Sequence, residues 1–142
     1  MATTSRIPAV QDQLKTLLAA RSALQGILIS VGDPATPRPA EFIQIASLID
    51  EWTQEWPVPE QKAESWTQPI HIVVEKASDY VTARDRAFAI LAEVEAQLHG
   101  DRTLSGVAWD ANIARGAIGE IIDSEFKVVV VTINLDCAEE FA

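Results

Sequence analysis

The sequence predicts an α+β (α/β) fold: one domain, a mostly antiparallel sheet of about five strands with two helices packed on one face. Three observations carry this expectation. Residues 84–109 (RDRAFAILAEVEAQLHGDRTLSGVAW) read as an amphipathic helix, a glycine stop and a tight turn into an alternating strand. Residues 125–135 (EFKVVVVTINL) form the strongest strand signal in the chain. The order of elements is helix, three strands, helix, two strands, which suits a sheet with its helices segregated to one side.

Each element has its own local reason. Residues 1–6 are short, polar and expected to be loose. Pro8 opens the first helix, because proline is favoured in a helix's first turn. Ile7, Val10, Leu14, Leu17 and Leu18 fall on one stripe, with Gln11, Asp12 and Lys15 away from it. The helix fades near 21–24, and Gly26 marks the exit. Residues 25–31 (QGILISV) are a β-rich run bounded by glycines. The prolines of 32–40 (GDPATPRPA) make a stiff extended loop. Residues 41–49 (EFIQIASLI) read as a second strand, its isoleucines favouring a pleated surface.

Residues 50–66 (DEWTQEWPVPEQKAESW) stand apart, with three of the four tryptophans, two prolines and five acids. They read as a long connection, in which the strand ends can project as an arm. Residues 69–75 (PIHIVVE) are a third strand. Ser78 or Asp79 caps the second helix, which runs to about Leu98 with Tyr80, Ala83, Ala87, Ile90, Leu91, Val94 and Leu98 on one face. Gly100 is the expected C-terminal stop. Residues 107–113 alternate as a half-buried strand, 115–124 read as a turn region around Gly116 and Gly119, and the acidic tail 137–142 (CAEEFA) is expected to fray.

The totals bound the function. A chain of 142 residues suits a single domain, 1–142, with a real core. Its 11 basic and 21 acidic residues give a net charge of −10. Such a surface repels phosphates at long range, which argues against a DNA-binding module but suits a wall that DNA slides past. The single cysteine, Cys137, permits no intrachain disulfide and reads as a small apolar residue rather than a nucleophile. The N-terminal MATTSRIPAV lacks the pattern of a secretory signal. No apolar run approaches the ~20 residues that cross a bilayer. The expectation is a soluble protein used in a cytoplasm.

No set of residues suggests a reaction. His71 and His99 are the only histidines, and no HxxxH, HExxH or CxxC spacing occurs. Ser105 in LSGVA is not a hydrolase elbow, and the GAIG of 116–119 precedes no helix. Two acidic clusters, Asp50, Glu51 and Glu55, and Glu120, Asp123 and Glu125, follow no EF-hand pattern and read as solvated loops. The expectation is no enzyme, no cofactor and no metal. The last strand, however, is apolar on both sides in its middle: Phe126, Val128 and Val130 on one, and Val129, Val131, Ile133 and Leu135 on the other. Two helices cover only one face, so something must cover the second. The candidates are the Trp-rich connection, a fold-over of the sheet, or a neighbouring subunit. Tryptophan is enriched at interface centres, which makes Trp52, Trp56, Trp66 and Trp109 candidate contact residues. Roofing of their own sheet is an equal alternative.

Taken in order, the opening Ile7-Pro8-Ala9-Val10 with helix QDQLKTLLAA, the Gly32-Asp33-Pro34 turn, the strand PIHIVVE, the helix ARDRAFAILAEVEAQL, the turn of 101–107 (DRTLSGV) and the final apolar strand give a set with a known counterpart. Over nearly its full length the chain resembles the tail-terminator (tail-completion) proteins of long-tailed phages. The turn is similar to that family's "d-x-T-L-G-G-V" junction, with Ser105 where the family often has glycine. Residues 50–66 have no clear counterpart. The resemblance implies a structural virion protein, assembled in the host cytoplasm and located in the neck region of the tail. It implies a homo-oligomeric ring, typically a hexamer, that caps the head-proximal end of the tail tube, stops its polymerisation and presents the head-docking surface. The implied partners are further copies of the chain, the tail tube protein and a head–tail connector protein, with DNA passing through unbound and no membrane. The acids Asp50, Glu51, Glu55, Glu120, Asp123 and Glu125 would then supply the lumen or the docking faces. The alternatives are another neck or head-completion protein and, last, a small-molecule binding module or enzyme.

Overall fold

In the computed structural model the described residues are 5–34, 39–49, 51–58, 61–76, 79–106, 110–122 and 127–141. The chain runs α1 (Ile7–Ala20), a single 3-10 turn (Ser22–Leu24), β1 (Leu28–Val31), β2 (Glu41–Ile45), β3 (Trp52–Val58), β4 (Gln61–Lys76), α2 (Tyr80–Gly100), β5 (Asp110–Ile122) and β6 (Lys127–Phe141). The sheet order is β1-β2-β4-β6-β5, with β3 as a sixth strand paired to β4. Among these pairings β1–β2 is parallel and the others are antiparallel. The α+β class, the mostly antiparallel sheet and the one-sided helix layer are as the sequence predicts.

The core follows from two periodicities. From α1 it takes Val10, Leu14 and Leu18, and from α2 Ala83, Ala87, Ile90, Val94 and Leu98, all buried. The strands answer with every second residue: Ile43 and Ile45, Ile70, Ile72 and Val74, and Val129, Val131, Ile133, Leu135 and Cys137. The register aligns these sets, for example Ile43 with Ile72 and Ile72 with Val131. Asp79 caps α2, its carboxylate accepting from the Val81 N–H at 2.9 Å and the Thr82 hydroxyl at 2.7 Å.

Several expectations need correction. Residues 52–58 and 61–66 are not a connection: β3 and the first part of β4 pair antiparallel, Trp52 opposite Trp66 and Gln54 opposite Glu64. Prolines and acids signal a loop, but the interleaved Trp, Thr and Val favour a pleated surface, and Pro57 is tolerated because β3 lies at an edge. Residues 115–122 are not a turn region. They continue β5 past an irregularity between Ile113 and Arg115, because the β6 ladder extends opposite them. The 137–141 segment is not frayed: it pairs with β4 as far as Lys62 opposite Phe141. Ser5 and Arg6 are tied down rather than loose, since the Arg6 N–H donates to Glu64 at 2.6 Å. Gln11 is not on the wet side of α1. It is buried because its amide donates to Ala46 O and Gln68 Oε1, both at 3.1 Å.

The stop after α2 also differs. Gly100 remains helical, and the reversal occurs later, where Leu104 (φ 53°), Ser105 (φ 57°) and Gly106 (φ 90°) are all left-handed. Asp101 holds this turn by accepting from the Ser105 N–H and from its hydroxyl, each at 2.9 Å. Leu104 is thereby driven into the core, fully buried.

Candidate interaction surfaces

The β3–β4 hairpin extends the sheet as an arm beyond the first turn of α1. Antiparallel partners point to the same face, so Trp52 and Gln54 share the helix side with Glu64 and Trp66. Trp66 is 3% exposed and belongs to the chain's own core, beside Cys137 in register. Among the described residues its indole Nε1 has no hydrogen-bond partner. Trp52 and Trp56, by contrast, are 51% and 55% exposed. The Trp52 Nε1 donates to Glu64 Oε2 at 2.8 Å, and Glu64 is itself buried by its partners. The four tryptophans thus divide: one is core, two stand out from the arm, and Trp109 lies outside the described residues.

The acids divide as well. Glu51 and Glu55 are exposed on the arm. The Thr67 hydroxyl lies 3.4 Å from both the Glu51 and Asp136 carboxylates. Glu120 is placed only by its backbone, opposite Val129. Asp50, Asp123 and Glu125 lie outside the described residues. The two acidic clusters are therefore not shown to meet. Among the described residues, no group of three or more His, Cys, Asp or Glu could hold a metal ion, and no helix is long and apolar enough to cross a membrane.

Among the described residues, concavities adjoin both faces of the sheet. On the face away from the helices, Phe42, Val73, Val128 and Val130 line a recess of about 320 Å³ with Pro39, Gln44, His71 and Glu75. Phe42 is buried although it points to this side, and Val128 and Val130 are half-buried. The His71 Nδ1 lies 2.8 Å from the Thr132 hydroxyl, and burial holds the imidazole below its usual pKa. On the helix side, a shallow groove of about 440 Å³ runs between α2 and β5, lined by Ala92, Glu95, Ala96, His99 and Ile113. Sequence reasoning missed this groove. Its only signal was the Ala92/Ala96 pair one helical turn apart, which leaves room beside a helix.

His99 stands exposed in the last turn of α2. Cys137 is buried, its thiol 3.9 Å from Leu135 O. Ser105 is spent on the Asp101 turn.

The α+β fold has a counterpart among solved structures. A chain described as "Virion of native gene transfer agent (GTA) particle" superimposes with a TM-score of 0.59, covering 96% of this chain and 99% of that one at 11% sequence identity. At that identity the likeness is one of fold. No protein-family model matches the chain, and no curated protein matches it.

Proposed function

We propose that this chain is a structural subunit of a tailed, phage-like particle, and within it a tail terminator: a ring that caps the head-proximal end of the tail tube. The observation that carries this reading is the end-to-end correspondence with a chain from a gene transfer agent virion, almost complete in both directions. It coincides with the resemblance carried by the 101–107 turn and the order of elements around it.

The function is geometric rather than chemical, and the chain acts as no enzyme. A closed ring satisfies head-to-tail contacts around its circle. One side matches the last ring of the tube; the other does not, and subunit addition ends there. The net charge of −10 per subunit suits a lumen through which DNA passes without adhering. The exposed acids Glu51 and Glu55 place part of that charge on the arm.

The direct test is to add the purified chain to tail tube protein while it polymerises, and to image the products. Capped tubes of arrested length, with extra density at one end, are expected. Tubes of unchanged length with no end density overturn the terminator reading. Density recruited by a portal-side connector instead would assign the chain elsewhere in the neck.

A further inference from the structure

Two free edges of the sheet complement one another. Among the described residues, β5 pairs as a strand only with β6 and β3 only with β4; the Ala111 N–H at the start of β5 is taken by Arg102 O at 2.7 Å, so the open outer edge of β5 lies beyond it, from Asn112 onward. We propose that the outer edge of β3 in one copy pairs with the outer edge of β5 in a second copy, and that Trp52 and Trp56 of the arm fill the groove beside Ala92, Ala96 and Ile113. This rests on the ring reading above and names the contact that would close the ring.

Face parity supports the match. Trp52 lies on the helix side, in register with Trp66. Ile113 is also on the helix side, opposite Leu135 of the core. When two edges join into one sheet, residues of one face stay on that face. The Trp52 indole of the incoming β3 therefore arrives over the strip beside Ile113, where α2 presents two alanines and leaves a groove; Trp56 follows further along the strand, at the register shift between Glu55 and Val58. Both tryptophans are half exposed, and Ala92 and Ala96 are exposed. Large aromatic anchors entering a recess are the usual anatomy of an interface centre, and here Ala92 and Ala96 leave the room between Glu95, His99 and Ile113.

Charge points the same way. The arm carries Glu51 and Glu55 beside its two tryptophans. Along β5, Arg115 is the one charged residue between Asp110 and Glu120. By backbone register Arg115 (opposite Asn134) and Glu55 (opposite Ala63) fall on the same face of the joined sheet, opposite in charge, while the groove on the other face carries Glu95 and His99. The contact is heterologous, since β3 and β5 are different edges, and a heterologous contact either closes a ring or propagates.

The test uses two variants of the full chain. Trp52→Gln/Trp56→Ala removes the indoles while leaving an amide to donate to Glu64. Ala92→Glu/Ala96→Glu fills the groove with charge. Sedimentation across a concentration series should show the parent chain associating and each variant associating at least tenfold more weakly. An equimolar mixture of the two should form a 1:1 dimer and nothing larger, because only one intact arm and one intact groove remain. Independently, cysteines placed at Thr53 or Glu55 together with Asn112 or Arg115 should give a ladder of intermolecular disulfides under oxidation in at least one pairing. A parent chain that stays monomeric at every concentration, variants that associate as the parent does, or no ladder in any pairing overturns the proposal. Each of these leaves the terminator reading to the tube-capping assay, which does not depend on this contact.

Discussion

Trp52 and Glu64 are joined across the β3–β4 hairpin by a hydrogen bond of 2.8 Å from the indole Nε1 to the carboxylate Oε2. The same carboxylate receives the Arg6 N–H at 2.6 Å through its other oxygen. One buried acid thus ties the root of the arm to the start of α1. Glu64→Ala is expected to destabilise the chain by about 2 kcal/mol, the scale of losing buried bonds to a charged acceptor. Trp52→Phe keeps the ring but removes the donor, and should cost about 1 kcal/mol. Urea unfolding followed by far-UV circular dichroism measures both. An unchanged midpoint for Glu64→Ala would show that the arm is not anchored there.

Gln68 is fully buried and donates to Ala46 O at 2.8 Å and Pro69 O at 2.9 Å while accepting from Gln11 at 3.1 Å. Gln68→Leu has similar bulk but satisfies none of these groups. It is expected to lower stability by about 1–3 kcal/mol, the cost of unsatisfied buried polar atoms. Gln11→Leu/Gln68→Leu together should cost less than the sum of the two singles, since both ends of one bond leave together.

The left-handed turn after α2 is tested at Gly106. An added Cβ would meet nothing within 4 Å, so Gly106→Ala isolates the backbone strain at φ +90°. A loss of about 1 kcal/mol or more in thermal or urea unfolding is expected. Gly100→Ala is the control. Its Cβ also meets nothing, and its φ is ordinary, so it should be neutral or stabilising by up to about 1 kcal/mol.

Hydrogen bonds from the Thr82 hydroxyl and the Val81 N–H hold Asp79 below the ordinary carboxylate pKa; the Ser105 N–H and hydroxyl do the same for Asp101. A depressed folded pKa means that the unfolded chain takes up the proton first. The stabilisation is therefore complete above about pH 4 and is lost as the pH falls through the lower folded values. Both groups are largely solvated, so the effect is small. Asp79→Asn should flatten the acid limb of a stability–pH curve while leaving the plateau slope unchanged.

His71 gives a second window. Burial depresses its pKa, so the folded chain favours the neutral ring. Stability is full above about pH 6.5 and falls as the pH drops through the depressed value, because the unfolded imidazole binds the proton more readily. The groups lining the same recess are Glu75 and Gln44, with Thr132 bonded to the ring. His71→Gln should remove the slope between about pH 7 and 5. NMR titration of the imidazole that found an ordinary or raised pKa would contradict this.

The helices and the helix-facing residues of the sheet were legible because their apolar spacing is written locally. Val10, Leu14 and Leu18, and Ala83 through Leu98, needed nothing beyond periodicity. That strand ends could project here was legible, but their pairing was not, because what pairs 52–58 with 61–66 is a cross-strand partner rather than local composition: the prolines and the acids outweigh the tryptophans until Trp52 is seen opposite Trp66. The far half of β5 was missed for a similar reason, since glycines at 116 and 119 read as a turn until the β6 ladder fixes them as strand. Of the candidate contact residues, Trp52 and Trp56 are on the surface, and Trp66 is inside. Distinguishing them required knowing which end of the hairpin lies beneath the helices.

The longest ladder joins β4 to β6, from Lys62 opposite Phe141 to Lys76 opposite Lys127, with all of α2 and β5 lying between the two strands in the chain. β6 is a central strand of the sheet, yet each of the other elements described above precedes it in the chain. Until it emerges from the ribosome, β4 and β5 have no neighbour on their inner edges, and much of the apolar surface meant for α2 is absent. Closing such a distant pairing is entropically slow, and the waiting strands are prone to wrong partners. The native sheet is therefore expected to form only once β6 is available to pair. Truncation within β6 is expected to yield insoluble chains rather than a smaller folded core.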